Sequence, residues 1–484
     1  MTSATRPPRR ELPIVALAAI AAVPAIALAG VWQYADSNVP PTVAPTTTTL
    51  PPPAAAELST SLLSYRRHPT PLAEQAAAAQ SAKEFDDRVQ RLTDDLGGTS
   101  CLSMVDESGV VAESSPELPV IPASNQKLLV ASVALQVLGA DHRFRTELQS
   151  VPPVDGAIAG NVYLIGGGDP VLRTADVPDP LRFPSFNTTA LEPLADQLVT
   201  LGVTTIDGDI VGDGSRYDDE FRVPDWDAGT TNVDAGPYDA LLVNDGLISN
   251  GNYGLNPSRS AARIFFDLLV ARGITISGSA ANDTRPADAG FTTLALIESR
   301  PLTDVLVELL HTSDNNTAEM LVKEIGYAVT EQGTRSAGLE TIRSTLAGWG
   351  VPLSGVELRD GSGLSRDNRV TCDALAAIMS ATPVADELRD LLPVAGRDGT
   401  MAQQLLGTSA EGRLQAKTGT LTGVKALTGS QLSGSRARVD FSVVLNGEGV
   451  DDPAFYEPIW RRTVALIDDY PIVIEPDVDE FGPR

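Results

Sequence analysis

Apolar residues recur along this chain with two different periods, which predict helices and strands in separate stretches. A spacing of three to four residues, typical of an amphipathic helix, occurs repeatedly. These helical segments are 74–96, 128–138, 302–310, 317–329 and 453–470. Strict alternation, typical of a half-buried strand, occurs at 100–106 and 109–113, with Glu107 and Ser108 between the two runs. The alternating pair predicts a β-hairpin.

The helical segment LLVASVALQVLG, at 128–139, is apolar on nearly every side. Such a helix must be buried inside a larger protein. Gly139 ends it, and the stretch PASNQK lies directly before it. We therefore expect Ser124 to lie at the mouth of a central helix.

The sequence pattern between residues 143 and 291 differs from that of the flanking segments. Short β-type runs such as NVYLIGG and TIDGDIVGD alternate with Asp-Gly and Gly-Gly turns, and lysine is absent. This stretch is predicted to be a strand-rich insertion. The helical segments after it and the β-type run ARVDFSVVLNG at 437–447 indicate one core, formed by 61–142 and 292–475, on either side of the insertion. A short tail, 476–484, follows.

The first 35 residues predict an export segment. Arginines at positions 6, 9 and 10 precede an uncharged, mostly apolar run from 12 to 32, which is long enough to cross a bilayer with its basic flank in the cytoplasm. Ala-Leu-Ala at 27–29 also fits a signal-peptide cleavage site, so both a retained membrane helix and a removed signal peptide stay open. Either places the remaining chain outside the cytoplasm. The Pro/Thr-rich stretch within 36–60 predicts an extended linker.

Composition narrows the possible partners and cofactors. The formal net charge of −27 at pH 7 opposes binding to nucleic acid or to anionic lipid, so no nucleic-acid partner is expected. The chain has two cysteines, three histidines and no His-Glu-x-x-His stretch, so neither a metal site nor another cofactor is predicted. Cys101 and Cys372 either form a disulfide, which an extracytoplasmic compartment permits, or are two small buried thiols.

Lysine is scarce, with five residues in the whole chain, yet one follows Ser124 by three positions. Ser124 and Lys127 would share one face of a helix. The lysine amine could then take the hydroxyl proton that makes serine a weak nucleophile. The alternative is that Ser124 or Asn125 only caps the helix.

Two further motifs contain candidate site residues. Ser-Asp-Asn at 313–315 begins another predicted helix, and one interpretation is that it only caps that helix. In the functional interpretation Ser313 shuttles a proton, and the Asn315 amide holds either a substrate carbonyl or the lysine. Lys417-Thr418-Gly419-Thr420 precedes a β-type run. On an edge strand its cation and hydroxyl could bind a substrate carboxylate, with glycine allowing close backbone approach. An ordinary exposed turn is the alternative.

The three motifs occur in the order Ser-x-x-Lys, Ser-Asp-Asn, Lys-Thr-Gly, which is typical of penicillin-recognising serine enzymes. The chain resembles more closely the D-alanyl-D-alanine carboxypeptidase/endopeptidase family of penicillin-binding protein 4 type, the low-molecular-mass class C penicillin-binding proteins. The resembling segments are PASNQKLLVASVALQVLGADHRF, YLIGGGDPVL, SDNNTAEMLVKEIG, LRDGSGLSRDNRVT, LPVAGRDGT and AKTGTLTGVKALTGS.

This resemblance implies a fold, an activity and a set of site residues. The fold would be an α/β (α+β) transpeptidase/β-lactamase-like domain, with helices around an antiparallel sheet and a large insertion between the first two motifs. Ser124 would attack the bond between two D-alanines of a peptidoglycan stem peptide, and β-lactams would acylate the same serine. D-alanyl cross-links would be a second kind of substrate.

The resemblance also implies individual roles. Lys127 would be the general base, with its pKa lowered by repulsion from Lys417, and Ser313 would relay a proton to the leaving amine. Asn315 would hold the acyl chain. Lys417 and Thr418 would bind the terminal carboxylate, and the backbone N–H groups of Ser124 and Thr420 would form the oxyanion hole. Gly419 would let another backbone approach.

Three other functions are weighed against this one. A class A-like β-lactamase shares the motifs, but it has a much shorter interval between the first two and a Glu-x-x-Leu-Asn loop that this chain lacks after Asn315. A Ser-His-Asp triad would need His142 or His311, and no Gly-x-Ser-x-Gly surrounds Ser124. A non-catalytic cell-wall-binding scaffold would be favoured by the loss of a motif residue, and none is lost.

Overall fold

The structure is a computed structural model that describes residues 70–175, 186–226, 233–248, 252–287 and 290–472. The predicted export segment, linker and C-terminal tail lie outside these residues. Within the described ranges, no helix has both the length and the apolar character needed to cross a membrane.

The described helices are numbered α1 to α10 in chain order. They are α1 Thr70–Asp94, α2 Gln126–Leu138, α3 Glu192–Thr200, α4 Pro257–Ala271, α5 Leu302–Thr312, α6 Asn315–Thr330, α7 Arg335–Gly348, α8 Cys372–Ser380, α9 Ala385–Asp390 and α10 Pro453–Asp468. All five helical segments predicted from periodicity are present, and the first begins four residues earlier than predicted.

Strands β1 to β17 are numbered in the same way. They are β1 Cys101–Asp106, β2 Gly109–Ser114, β3 Arg145–Ser150, β4 Ala157–Ile158, β5 Val162–Ile165, β6 Leu172–Arg173, β7 Thr189–Ala190, β8 Thr205–Ile206, β9 Ile210–Asp213, β10 Leu247–Ile248, β11 Asn252–Tyr253, β12 Thr275–Ile276, β13 Ala280–Asn282, β14 Thr292–Glu298, β15 Gln415–Leu421, β16 Val424–Leu432 and β17 Arg438–Asn446.

A five-stranded antiparallel sheet of order β15-β16-β17-β1-β2 forms the centre of the fold. The predicted hairpin β1–β2 is present at one edge, and β15, which carries the Lys-Thr-Gly motif, is the other edge strand. Alternate side chains of the sheet pack into two different hydrophobic clusters. Helices surround an antiparallel sheet, so the predicted fold class is confirmed.

Helix α2 lies in the larger of these clusters, together with α5, α6 and α8. All its residues from Gln126 to Leu135 are buried, as its apolar surface on every side requires. The other cluster contains side chains from α1 and α10, such as Leu92 and Trp460. The central position of α2 brings its N-terminal end against the edge of the sheet.

The segment after α2 forms its own sheet of order β13-β9-β5-β3-β14, in which β5, β9 and β13 run parallel and β3 pairs antiparallel with its two neighbours. Helices α3 and α4 cover it. Because β14 pairs with β3 from Thr292 to Glu298, this sheet continues beyond residue 291, the predicted end of the insertion. The division at residue 291 was a prediction from the sequence, and β14 is the strand that lies beyond it.

Cys101 and Cys372 form a disulfide that joins β1 to α8. Both cysteines are fully buried. Of the two alternatives left open by the sequence, the structure therefore contains the disulfide.

Candidate active site

Ser124 lies in a tight 3-10 turn, Ala123–Asn125, directly before α2. Ala123 takes a left-handed backbone conformation with φ of 46°. Neither Ser124 nor Asn125 caps the helix, because no side-chain bond to the first free amides of α2 is present. The capping alternative is therefore wrong here. The Asn125 amide instead donates to Thr428 Oγ1 on β16 at 2.7 Å, which ties the turn to the sheet.

Lys127 is fully buried and reaches three oxygen atoms. Its Nζ lies 3.1 Å from Ser124 Oγ, 2.7 Å from Asn315 Oδ1 and 2.6 Å from the Ser362 carbonyl oxygen. Burial lowers the pKa of Lys127 to about 8, against the opposing effect of nearby carboxylates. Burial therefore raises the neutral fraction of this amine at pH 7 to about a tenth, far above that of an ordinary lysine.

The cause of this lowered pKa differs from the one expected. Repulsion from Lys417 was expected to lower the pKa of Lys127, whereas desolvation by burial is the main cause. Repulsion between the two lysines does affect Lys417. Burial is the larger cause and the charge of Lys127 the smaller one, and together they hold the pKa of Lys417 well below its usual range. The two buried amines therefore lie close enough for the charge of one to affect the other.

Ser313 ends α5 in a left-handed conformation with φ of 63°, which turns the chain sharply before α6. Lys417 Nζ lies 2.8 Å from Ser313 Oγ and 2.9 Å from the Thr418 carbonyl oxygen. Between these motif residues, Asp314 caps α6 by accepting from the amides of Asn316 and Thr317. The capping interpretation is thus correct for Asp314, and it leaves Ser313 and Asn315 free for other contacts.

The amide group of Asn315 makes two contacts. Its Oδ1 accepts from Lys127, and its Nδ2 donates to the carbonyl oxygen of Asp234 at 2.6 Å. Of the two roles considered from the sequence, holding the lysine is therefore the one seen in this structure.

The edge strand β15 approaches the turn that contains Ser124 closely at Gly419. A side chain there would place a Cβ atom 2.8 Å from the Pro122 carbonyl oxygen and 3.2 Å from the Ala123 Cβ. The next residue, Thr420, is exposed, and its hydroxyl accepts from Lys425 Nζ at 3.0 Å. The four residues of this motif are thus part of a strand and do not form an exposed turn.

A cleft of about 710 Å³ opens over these groups. Its walls include four of the predicted residues, Ser124, Ser313, Asn315 and Thr420. Lys127, Lys417, Thr418 and Gly419 lie behind them through the contacts above. All eight predicted residues therefore come together at one place. Neither His142 nor His311 lines the cleft, so the geometry offers no support for a histidine triad.

Several buried polar residues near the cleft were missed. Asp360 accepts from Trp226 Nε1 at 2.8 Å and also from the amides of Gly363 and Ser365. Glu319 accepts from the amides of Gly361 and Ser362. The available signal was their place in two resembling segments, LRDGSGLSRDNRVT for Asp360 and SDNNTAEMLVKEIG for Glu319. Among the described residues, no group of three or more histidine, cysteine or acidic residues is arranged to hold a metal ion.

Comparison with known proteins agrees with this geometry. A model of the D-Ala-D-Ala carboxypeptidase 3 (S13) family matches residues 82–254 and 254–459, which together make up most of the chain. The chain belongs to the S13 family. It is therefore a serine-type D-Ala-D-Ala carboxypeptidase, and the predicted activity is confirmed.

Individual S13 relatives extend over most of the chain. A D-alanyl-D-alanine carboxypeptidase of Actinomadura sp. strain R39 is 32% identical over 417 residues, covering 69% of this chain and 74% of that protein. A carboxypeptidase of Mycobacterium tuberculosis is 30% identical over 375 residues, covering 74% of this chain and 76% of that protein. The crystal structure of penicillin-binding protein 4 from Haemophilus influenzae matches with a TM-score of 0.68 and 22% identity, over 79% of this chain and 99% of that one. That likeness supports the fold.

Proposed function

We propose that Ser124 is the nucleophile that attacks the carbonyl between the two terminal D-alanines of a peptidoglycan stem peptide. The terminal D-alanine leaves as the amine, and water hydrolyses the resulting ester on Ser124. The observation that carries this proposal is the contact between Lys127 Nζ and Ser124 Oγ at 3.1 Å. It supplies the base that a serine nucleophile requires.

The surroundings of Lys127 favour its neutral form in the right orientation. A neutral amine has two N–H donors and one lone pair. Its two shortest contacts are to the oxygens of Asn315 and Ser362, which can only accept. When both N–H groups donate to these oxygens, the lone pair is left for the hydroxyl proton of Ser124. Lys127 is therefore proposed as the general base for acylation.

Ser313 and Lys417 are proposed to carry the proton to the leaving amine. Lys417 donates to Ser313 Oγ, which leaves the Ser313 hydroxyl hydrogen available for another acceptor in the cleft. The carboxylate of the terminal D-alanine would lie near Lys417 and Thr418. Binding of this anion would favour the charged form of Lys417, whose pKa burial and the charge of Lys127 hold well below its usual range.

The backbone N–H groups of Ser124 and Thr420 are proposed as the oxyanion hole. Because β15 is an edge strand, some of its amides have no neighbouring strand to bond. Such donors are most effective where negative charge develops in the transition state. The same groups would receive a β-lactam carbonyl, so we propose that β-lactams acylate Ser124 and that D-alanyl cross-links are also accepted.

The domain division and the anchoring are part of the proposal. We assign 61–142 and 299–475 to the transpeptidase-like domain and 143–298 to the insertion, with the later boundary taken from β14. Family membership implies action on the cell wall outside the cytoplasm. Whether the helix predicted near the N-terminus is retained as a membrane anchor is tested by N-terminal sequencing of the mature protein. A start near residue 30 would indicate cleavage.

The function is tested by labelling with a fluorescent penicillin and by measuring D-alanine release from a stem pentapeptide. The wild-type protein is expected to do both, and Ser124→Ala to do neither. A folded wild-type protein that takes no label would favour the scaffold. Rapid turnover of the penicillin without D-alanine release would favour the β-lactamase.

A further inference from the structure

Glu319 is a buried carboxylate one helical turn after Asn315 on α6, and only 1% of its surface is exposed. Its Oε1 accepts from the amide of Gly361 at 3.0 Å and from that of Ser362 at 2.7 Å, and its Oε2 lies 3.1 Å from the Gly361 amide. A carboxylate bonded to two consecutive amides fixes the orientation of the peptide units that carry them.

The segment held in this way contacts the base directly. The carbonyl oxygen of Ser362 lies 2.6 Å from Lys127 Nζ. Helix α6 therefore reaches Lys127 by two routes. One is the side chain of Asn315 at 2.7 Å, and the other is Glu319 acting through the Ser362 carbonyl.

We propose that Glu319 is a positioning residue that holds Gly361 and Ser362 and, through the Ser362 carbonyl, fixes the amine of Lys127 against Ser124. This inference rests on the proposed role of Lys127 as the base. It explains a carboxylate in a position that is otherwise costly, because a buried charge without a function of this kind destabilises a protein relative to an apolar side chain.

Several titratable groups surround Glu319 and Lys127. Burial and the charge of Asp360 raise the pKa of Glu319 to about 7, and Tyr238 and Arg335 also interact with it. Lys127 is influenced by Asp314, Asp360, Glu319 and Asp234, and it interacts with Lys417. Ionised Glu319 raises the pKa of Lys127. The carbonyl that it orients also favours the charged amine.

Both effects have the same sign, so removal of the carboxylate should lower the pKa of Lys127. In Glu319→Gln the amide oxygen, in the place of Oε1, can still accept from the Ser362 N–H, but the amide nitrogen, in the place of Oε2, brings a second donor against the Gly361 N–H. The expected result is an acylation rate at least about tenfold lower on the alkaline plateau. The acidic limb of the pH profile should move to lower pH by about half a unit or more. The measurement is the second-order rate of labelling by fluorescent penicillin between about pH 5.5 and pH 10.

Glu324→Gln is the matched control. Glu324 is a buried glutamate on the same helix, but it accepts from Arg216 and Tyr217 and not from the segment that holds Lys127. The Glu324→Gln substitution should lower the denaturation midpoint without moving the acidic limb of the pH profile. Glu319→Asp is the second test variant, because it keeps the charge and shortens the reach. It should lower the plateau and move the limb less than the glutamine does.

The outcomes separate this inference from the proposed function. A lower rate in Glu319→Gln with the acidic limb in the wild-type position would reduce Glu319 to a structural role and overturn the inference. An equal shift in Glu324→Gln would overturn it as well. The proposed function fails instead if the wild-type protein takes no label, or if Lys127→Ala keeps the wild-type profile.

Discussion

Lys417 Nζ lies 2.8 Å from Ser313 Oγ, which joins two sequence motifs that are 104 positions apart. The left-handed turn at the end of α5 holds Ser313, and the edge strand β15 holds Lys417. Ser124 and Lys127 form a second serine–lysine pair, with 3.1 Å between Oγ and Nζ. The cleft therefore contains two hydroxyl groups, each next to a buried amine of lowered pKa.

Ser313→Ala should lower the rate constant for D-alanine release by about 10²-fold, because the leaving amine loses its proton donor. The KM for the stem peptide should change little, since Ser313 is not proposed to bind its carboxylate. Ser132→Ala is a suitable control, because this buried serine on α2 bonds only the Leu129 carbonyl oxygen among the contacts seen. A loss of less than about twofold in Ser313→Ala would contradict the proton relay.

The acylation rate should rise with pH around pH 8, because burial lowers the pKa of Lys127 to about 8. The sign follows from the role of the base. Below this pKa the amine is protonated and cannot accept the serine proton, and above it the neutral amine predominates. The rate of penicillin labelling as a function of pH measures this directly. Lys127→Ala should be slower and should lose the limb, whereas an identical profile in both proteins would exclude Lys127 as the base.

Periodicity and motif order were sufficient to predict the elements that carry the site. The helix α2 was recognisable because its sequence is apolar on nearly every side. The β-type run after the Lys-Thr-Gly motif is β16, and the motif itself, for which an edge strand and an exposed turn were both considered, lies on the edge strand β15. These are local signals. Ser124 and Lys127 are also close in sequence, so their contact follows from helical spacing alone.

The support around the site could not be predicted in the same way. The contact of Glu319 with the amides of Gly361 and Ser362 joins segments more than 40 positions apart, and neither segment has a pattern that distinguishes it from a cap or a turn. The scarcity of lysine was a partial signal. Four of the five lysines are buried, and the two outside the motifs, Lys323 and Lys425, bond Asp218 and Thr420 respectively. Their partners depend on the tertiary fold.

Removal of the disulfide should destabilise the protein without disabling the site. The bond closes a loop between residues 271 positions apart, and it joins the central sheet to a helix in the same hydrophobic cluster. Replacement of both Cys101 and Cys372 by serine should lower the free energy of unfolding by about 2–5 kcal/mol. D-alanine release at 25 °C should persist, because neither cysteine lines the cleft. The midpoint of guanidinium unfolding measures the effect, and an unchanged midpoint would contradict it.

Gly363→Ala should slow acylation of Ser124 by displacing the turn that contains it, although residue 363 has no side chain in the site. Gly363 has a φ of 86°, and an added Cβ would lie 1.9 Å from the Ala123 carbonyl oxygen, so either the turn or the glycine segment must move. A displacement of about 1 Å at a reacting group can lower the rate about 10²-fold. We expect a loss of this size in penicillin labelling. The segment also contains the Ser362 carbonyl, so the movement would disturb Lys127 as well.

Gly407→Ala separates this clash from backbone strain. Gly407 has a φ of 70° but open space around the added Cβ. Both substitutions force alanine into left-handed backbone at a cost of about 1–2 kcal/mol. Only Gly363→Ala also moves the residue before Ser124. The two variants should therefore lose comparable stability from strain, with a larger loss at 363, whereas labelling should fall only in Gly363→Ala. Equal labelling by the two proteins would show that the turn at Ser124 tolerates displacement, and the tight packing of residues 361–363 would then have no role in catalysis.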